Sequence, residues 1–420
     1  MKKILLLVLL IALCSCGGKK DSTNVEKILE NVFTLENVFT LELSFGDKDL
    51  PDEFLLAQPW HLTVNDAGDV YVCDEYKVKV FDKNGKPKAI FGGRGQGPGK
   101  FERMGSRLFI SPEGWLSVFD MSSMSSWSVF SPSNKFISKN VFSSSVVFNT
   151  LKNDYNISIG AGGAGQNIYV LNDKEFIVKG TTATYDNFNE AGEYYDYIFY
   201  AHENKVSVIT KYRNVDTFIY KIGSGYHVSG TVLGSLSLAI LPGSRIIYTH
   251  TYHDVKCAND TAYLTFHVVS LADNIKKDFV FPYKPVVIAD STLKKYEPSY
   301  QEKMIKESPR KSEIPQYIIN DAQKKIDAKV YDFLKQMKYH NLFAYMQSDG
   351  VYLFLKLSGP STKTIKVINS ETGKEVSNFI YPESLYMGQF KNGYGYRLYT
   401  PKDGYPVVEK YRIDPRVYGK

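Results

Sequence analysis

Residues 61–92 read His-Leu-Thr-Val-Asn-Asp-Ala-Gly-Asp-Val-Tyr-Val-Cys-Asp-Glu-Tyr-Lys-Val-Lys-Val-Phe-Asp-Lys-Asn-Gly-Lys-Pro-Lys-Ala-Ile-Phe-Gly. Three short apolar runs, at 62–64, 70–72 and 78–81, are separated by Asp66-Ala67-Gly68 and Asp74-Glu75, and a fourth run at 89–91 follows Asn84-Gly85. Runs this short, punctuated by Asn-Gly and Asp-rich turns, predict a four-stranded antiparallel meander. The same grammar returns at 107–142: an apolar run at 108–110, the turn Pro112-Glu113-Gly114, runs at 115–119 and 127–130, Ser133-Asn134, then 136–142. A β unit repeated at about 45 residues is the sequence signature of a propeller, in which each small sheet covers its neighbour's apolar face.

Further copies fall at 168–180, 197–222, 238–281, 342–381 and 385–413. The short copy at 168–180 completes the 197–222 unit if the chain returns across 181–196, which gives six blades; counted separately it makes seven. The expected fold is therefore an all-β, six-bladed propeller of four-stranded blades, with seven blades possible. The segment 32–45, with its tandem Asn-Val-Phe-Thr-Leu-Glu at 31–36 and 37–42, precedes the first copy. Pairing it with the last copy closes the ring and removes exposed sheet edges. Residues 291–338 break the strand pattern. They are rich in Lys, Glu, Gln and Ala, with Ser291 as a candidate N-cap and Ile319, Ala322, Ile326 and Val330 at helical spacing. Pro309 and Pro315 predict two or three short helices there.

Composition agrees with this architecture. The 420 residues include 31 Tyr, 25 Phe and 31 Gly against 3 Trp and 8 Met, which favours strands and tight turns over helical bundles. A net charge of +6, dispersed along the chain, gives no footprint for nucleic acid. At the N-terminus, Met1-Lys2-Lys3 and an apolar run at 4–13 form a signal peptide too short to span a bilayer as a helix. It ends in Leu13-Cys14-Ser15-Cys16-Gly17, which resembles a bacterial lipobox with Cys16 as the acylated residue; an ordinary secretory peptide is the alternative. Acyl chains on Cys16 would hold the protein at a membrane at about 0.8 kcal/mol per buried methylene. The expected organisation is a signal peptide at 1–15, a polar tether at 16–30 and a propeller at 31–420 that carries the helical insertion at 291–338. Of the remaining cysteines, Cys73 and Cys257 are read as buried thiols on separate strands, with a disulfide as the lesser alternative.

The glycine-rich run Phe91-Gly92-Gly93-Arg94-Gly95-Gln96-Gly97-Pro98-Gly99-Lys100-Phe101 invites a phosphate-loop reading and fails it. Arg94 stands where a Walker loop needs glycine, and Phe101 where it needs Ser or Thr. A dinucleotide fingerprint fails as well, with Pro98 or Lys100 at the third glycine. The run reads instead as a connector between blades, anchored by Phe101. This segment, following Asp74 and Asn84-Gly85, resembles the six-bladed β-propeller lipoproteins of Bacteroidetes, related to NHL-repeat proteins, whose connector commonly reads Gly-x-Gly-x-Gly-Pro-Gly-Glu-Phe; here Lys100 replaces the acidic residue. The match covers about residues 55–145 and the lipobox. The resemblance implies a ring with a polar central channel and no agreed enzymatic activity. Surface-exported lipoproteins of that group carry an acidic run after the cysteine, and Lys19-Lys20 in its place favours an outer-membrane anchor facing the periplasm.

Catalytic patterns are sparse. His250 and His253 lie three apart in a strand-like run, which sends their side chains to opposite faces and makes them poor co-ligands. Asp74, Glu75 and Asp120 follow the second strand of their units, where they either face the channel or do turn chemistry. With Arg94 they form the candidate ligand-binding set; no catalytic or metal-binding residue and no cofactor is assigned. Tyr185, Tyr194, Tyr195, Tyr197 and Tyr200 line a groove or pack in the core. The expected function is a membrane-anchored binding or scaffold module for a peptide, glycan or protein partner, without nucleic acid. The opposing reading is a metal-assisted hydrolase or lyase in the channel, which requires carboxylates converging on the axis.

Overall fold

The computed structural model describes residues 34–420 apart from 48, 103–106, 121–125, 142–144, 156, 158–167, 185–192, 215–216, 223–225, 232–235, 259, 286, 289, 295–314, 337–342, 358–363, 383–384, 386 and 403. Residues 1–33, which hold the expected signal peptide, Cys16 and the expected tether, lie outside the described residues. Strands β1 (Thr34–Leu35) and β2 (Phe39–Phe45) open the described chain. Blade I is β3 (Pro59–Val64), β4 (Val70–Asp74), β5 (Lys77–Phe81) and β6 (Pro87–Gly92), paired in that order. Blade II is β7 (Arg107–Ile110), β8 (Leu116–Asp120), β9 (Ser126–Phe130) and β10 (Phe136–Val141). After helix α1 (Val146–Tyr155), blade III is β11 (Ile168–Val170), β12 (Glu175–Thr184), β13 (Glu193–His202) and β14 (Lys205–Asn214), so residues 168–180 and 197–214 belong to one blade.

A separate hairpin, β15 (Thr217–Ile222) and β16 (Tyr226–Thr231), leads to blade IV: β17 (Leu236–Leu241), β18 (Arg245–His250), β19 (Val255–Ala258), β20 (Thr261–Ser270) and β21 (Lys276–Tyr283). Its second strand is broken, since β18 and β19 pair with successive halves of β20 around the turn 251–254. Helices α2 (Asp290–Lys294) and α3 (Gln316–Gln336) follow. Blade V is β22 (Phe343–Asp349), β23 (Tyr352–Leu357), β24 (Thr364–Asn369) and β25 (Lys374–Ile380), with β1 added in parallel at its edge. Blade VI is β26 (Gln389–Lys391), β27 (Tyr394–Tyr399), β28 (Val407–Ile413) and β2, whose antiparallel pairing with β28 closes the ring. The fold is a six-bladed propeller.

The core is divided among the six seams. Alternate residues of one strand serve different seams: on β4, Val70 and Val72 pack with Phe45 and Tyr396 between blades VI and I, while Tyr71 and Cys73 pack with Leu108 and Val118 between I and II. Both faces of a middle strand are therefore covered, and 70–74 is buried throughout. This is why such strands read as continuous apolar runs rather than alternating ones. Gly85 shows how closely the blades approach: its φ is +76°, and a Cβ there would lie 2.7 Å from the Phe45 ring of the closing strand.

The insertion holds two described helices, within the two or three expected, but the second is long; Ser291 is the second residue of α2 rather than its N-cap, and Pro309 lies outside the described residues. Pro315 sits just before a single 21-residue helix, α3, rather than breaking it. Proline lacks only a donor that the first helical turn leaves unused. Ile319, Ala322, Ile326 and Val330 form the buried stripe as read, continued by Leu334, and the helix packs on the β15–β16 hairpin. Cys73 and Cys257 are not joined by a disulfide. Cys73 is buried as expected, but Cys257 is exposed, because β19 lies beyond the break in blade IV.

Candidate functional site: the axial cavity and the connector face

The innermost strands β3, β7, β11, β17, β22 and β26 surround the axis. Each is a sheet edge, so its backbone groups need partners from outside its own blade. Side chains supply them across the seams. Gln389 Oε1 accepts from Val64 N–H at 2.8 Å, Gln347 Nε2 donates to Gly388 O at 3.1 Å and its Oε1 accepts from Phe390 N–H at 3.1 Å. Ser348 Oγ donates to Ile240 O at 2.9 Å, Lys179 Nζ to Leu236 O at 2.9 Å, and Leu108 N–H donates to His61 Nδ1 at 3.4 Å. At the remaining seam Phe109 meets Tyr169 edge to face, with centroids 5.1 Å apart.

These strands enclose a cavity of about 240 Å³ that every blade lines, through His61, Phe109, Tyr169, Leu238, Gln347 and Lys391 among others. Burial, with the nearby Arg107 charge second, lowers the His61 pKa to about 4, so the ring is neutral near pH 7. Burial pushes the Tyr169 hydroxyl up to about 12. Lys391 is neutralised by Asp66. No carboxylate belongs to the described lining, and among the described residues no group of three or more His, Cys, Asp or Glu is placed to hold a metal ion. The cavity offers a neutral, hydrogen-bonding, partly apolar environment.

None of the four sequence-predicted ligand residues lines that cavity. Asp74 is buried at the end of β4, where its carboxylate accepts from the N–H groups of Ala57 and Gln58 at 3.1 and 2.6 Å and pairs with Lys79 at 2.7 Å. Asp120, at the equivalent end of β8, accepts from Glu102 N–H at 2.7 Å. Each aspartate thus ties the connector that enters its blade to the blade's second strand. Glu75 is exposed in the following turn with φ +54°. Arg94 is exposed, with its guanidinium 5.5 Å from the Tyr76 ring centroid. The connector carrying it folds as read: Gly92, Gly93, Gly95 and Gly99 all have positive φ, Phe101 is fully buried, and Lys100 Nζ donates to Gly92 O at 2.6 Å. Among the tyrosines, Tyr197 is in the core, while Tyr195 and Tyr200 pack against it half-buried. Tyr185 and the Tyr194 side chain lie outside the described residues.

Four antiparallel strands return the chain to the face it left, so the blade-to-blade connectors share one face of the ring. Helices α1, α2 and α3 and the β15–β16 hairpin all lie in connectors. Trp60 stands at the rim of the same face. The register of β3 against β4 slips between Pro59 and His61, which makes Trp60 the extra residue of a bulge and leaves it 60% exposed. Bulges re-aim side chains in this way, and a large exposed aromatic is uncommon. Nothing in the sequence marks the bulge except a Trp beside an inner-strand apolar run.

A second cluster escaped the sequence reading. Strand β18 ends at His250, so His253 lies in the turn 251–254 rather than on a strand, and the two rings come within 4.6 Å instead of facing apart. His250 is fully buried; its Nδ1 accepts from the N–H groups of Tyr252 and His253, and its Nε2 faces Asp196 of blade III at 3.5 Å. His267 lies between Asp278 at 2.8 Å and Asp254 at 3.3 Å, and Asp254 also accepts from the Tyr212 hydroxyl of blade III at 2.9 Å. Burial alone would lower the His267 pKa, but its bonds to Asp254 and Asp278 outweigh burial and raise it. Burial likewise pushes Asp254 and Asp196 up, but the His267 ring beside Asp254, and the His250 ring facing Asp196 together with the Thr181 hydroxyl that donates to it at 2.7 Å, bring both below the usual carboxylate range. The cluster fastens blade III to blade IV.

No family model matches the chain, and no curated protein does. Solved structures similar to it include a Bacteroides fragilis protein named as exported, at 10% identity and a TM-score of 0.40 over 91% of this chain and 97% of that one. A Bacteroides vulgatus member of the DUF4221 family is similar at 11% identity and a TM-score of 0.43, over 89% of this chain and 98% of the other. At such identities the likeness concerns fold alone.

Proposed function

We propose that the protein is a binding platform of the bacterial cell envelope, tethered to the outer membrane through Cys16 and facing the periplasm, that holds a peptide or protein partner on its connector face. The observation that carries this reading is the bulge that turns Trp60 out to solvent at the channel rim, on the face where the extra helices and the hairpin gather. Trp, Tyr and Arg are the residues most often dominant in interfaces, and Trp60, Tyr76 and Arg94 all sit on that side of blade I. The tether suits this use. Strands β1 and β2 run along the outer edges of blades V and VI, so the described chain begins at the outer rim of the ring. Membership of the Bacteroidetes propeller lipoproteins rests on the lipobox and the 91–101 connector. The metal-assisted reading has less support, because the described axial lining carries no carboxylate.

Lysine-directed cross-linking in the native envelope tests the platform. Partner cross-links are expected at Lys77 and Lys100 rather than at Lys83, Lys86 and Lys88 of the opposite face, and Trp60→Ala should weaken retention about tenfold or more. Cross-links confined to the opposite face, or unchanged retention by Trp60→Ala, would refute it. Incorporation of an alkyne-labelled fatty acid that disappears in Cys16→Ala tests the anchor separately.

A further inference from the structure

At the outer part of the seam between blades II and III lies a cavity of about 340 Å³, distinct from the axial one and lined by α1 and both blades. That volume is at the lower end of the range small-molecule sites occupy, ~300–1,000 Å³. Its apolar floor is formed by Trp127 and Phe176, whose ring centroids lie 5.8 Å apart, with Val129, Val147 and Val170; Phe148 packs behind them, 5.1 Å from Trp127 and stacked on Phe176 within 14° of parallel. Its mouth is polar and built from two turns, 172–174 and 203–204, which lie on the face opposite the connectors.

Three polar groups of the lining, Asn140 at the connector end of β10 and Asp173 and Asn204 in the two turns, have work left to do. Asn140 uses its Nδ2 on Ser138 at 3.2 Å, while its Oδ1 accepts no hydrogen bond among the described residues. Asp173 and Asn204 are exposed, and neither side chain bonds to the described residues. Lys174 is balanced by Glu203 at 3.7 Å, so the mouth keeps one net negative charge and offers no free cation for a phosphate or carboxylate. An apolar ligand would strand the amides.

The geometry points to a saccharide-binding site, taking a neutral sugar ring whose C–H face rests toward the Phe176 side of the floor and whose hydroxyls meet Asn140, Asp173 and Asn204. A sugar ring has one apolar face and a rim of donors and acceptors, which matches an aromatic floor bordered by amides and a carboxylate. A carboxylate and an amide oxygen accept from hydroxyls, while the Asn204 amide both donates and accepts. Although α1 contributes to the lining, none of Trp60, Tyr76 and Arg94 does, so the two assignments are tested separately.

The test is saturation-transfer NMR and calorimetric titration of the whole protein with galactose, mannose and N-acetylglucosamine, with glucosamine, glucuronate and inorganic phosphate as charged comparisons. At least one neutral sugar should bind. Asp173→Ala and Asn204→Ala should each weaken it about tenfold, and Asn204→Trp, which fills the mouth, should abolish it. Both positions are exposed turn residues, so unchanged circular dichroism is expected of each variant. The assignment is overturned if none of the three neutral sugars binds, if only the charged compounds bind, or if Asn204→Trp leaves sugar binding intact.

Discussion

Phe45→Ala tests whether the ring is closed by its first strand. Phe45 is 5% exposed, its ring centroid is 5.1 Å from that of Phe81, and the backbone of Gly85 lies against it. Truncating a buried phenylalanine costs about 3–5 kcal/mol, from lost transfer energy and the cavity left behind. Here the void opens between blades VI and I, where Val408, opposite Phe45 in the ladder, loses cover as well, which favours the upper half of that range. Leu41 on the same strand is 50% exposed, and Leu41→Ala should change stability by no more than about 0.5 kcal/mol. Equilibrium urea unfolding, followed by tryptophan fluorescence and circular dichroism, reads the difference. With a slope of ~3 kcal/mol/M, the Phe45→Ala midpoint should fall by about 1.3–1.7 M. A loss under about 1 kcal/mol, or one no larger than that of Leu41→Ala, would show that β2 does not hold the ring shut.

Three further outcomes follow from the structure. Gly92→Ala should cost about 2–4 kcal/mol in the same assay, because φ is +96° and a Cβ would lie 2.5 Å from Phe101; a neutral effect would mean the connector packs differently. Asp74→Ala should cost about 3–5 kcal/mol by stranding the buried Lys79, whereas the double variant Asp74→Ala/Lys79→Met should recover a substantial part of it; no recovery would remove the ion pair as the cause. The His267 pKa is raised, so its stabilising contribution is complete below 6.5 and lost as pH rises through the folded value. The stability gap between the wild type and His267→Gln should therefore be widest below pH 6.5 and narrow as pH rises through the raised folded value. Histidine NMR should show His61, with its pKa lowered to about 4, still neutral at about pH 5.5 while His267 is charged; a gap that widens with pH would reverse the assignment.

The blades were legible where strand turns carry their own chemistry. Asn65 Oδ1 caps Asp69 N–H at 2.8 Å, and Asp82 accepts from the N–H groups of Asn84 and Lys86. Turns of this kind announce themselves because the side chain that makes the turn is in the turn. The closing strand was legible for a similar reason, as an apolar strand left over before the first copy. Helix α1 was not, since its ten residues bury only Val147, Phe148 and Leu151 within a stretch of Ser, Asn and Val that mimics a loop. Nor was the end of Asp74 or Asp120 readable. Both were placed at the finish of a second strand, yet whether a carboxylate there faces the axis or a connector depends on a backbone about 16–18 residues upstream.

The polar seams show the same limit more sharply. Opposite-face reasoning for His250 and His253 assumes an unbroken strand, and the break at 251–254 is imposed by β20, which pairs with β18 on one side of it and β19 on the other. A ten-residue partner strand tolerates that interruption because its other edge is continuously paired with β21. The turn in turn brings Asp254 to Tyr212 and His253 to the backbone of Arg213 on blade III. Local periodicity carries no information about a contact of this type, because the residues that decide it lie in different blades. The same holds for the two cavities: one needs all six inner strands and the other needs two turns and a helix from adjacent blades. In a fold made of repeats, the sequence of one unit specifies that unit's strands, whereas the sites arise at seams where two units differ.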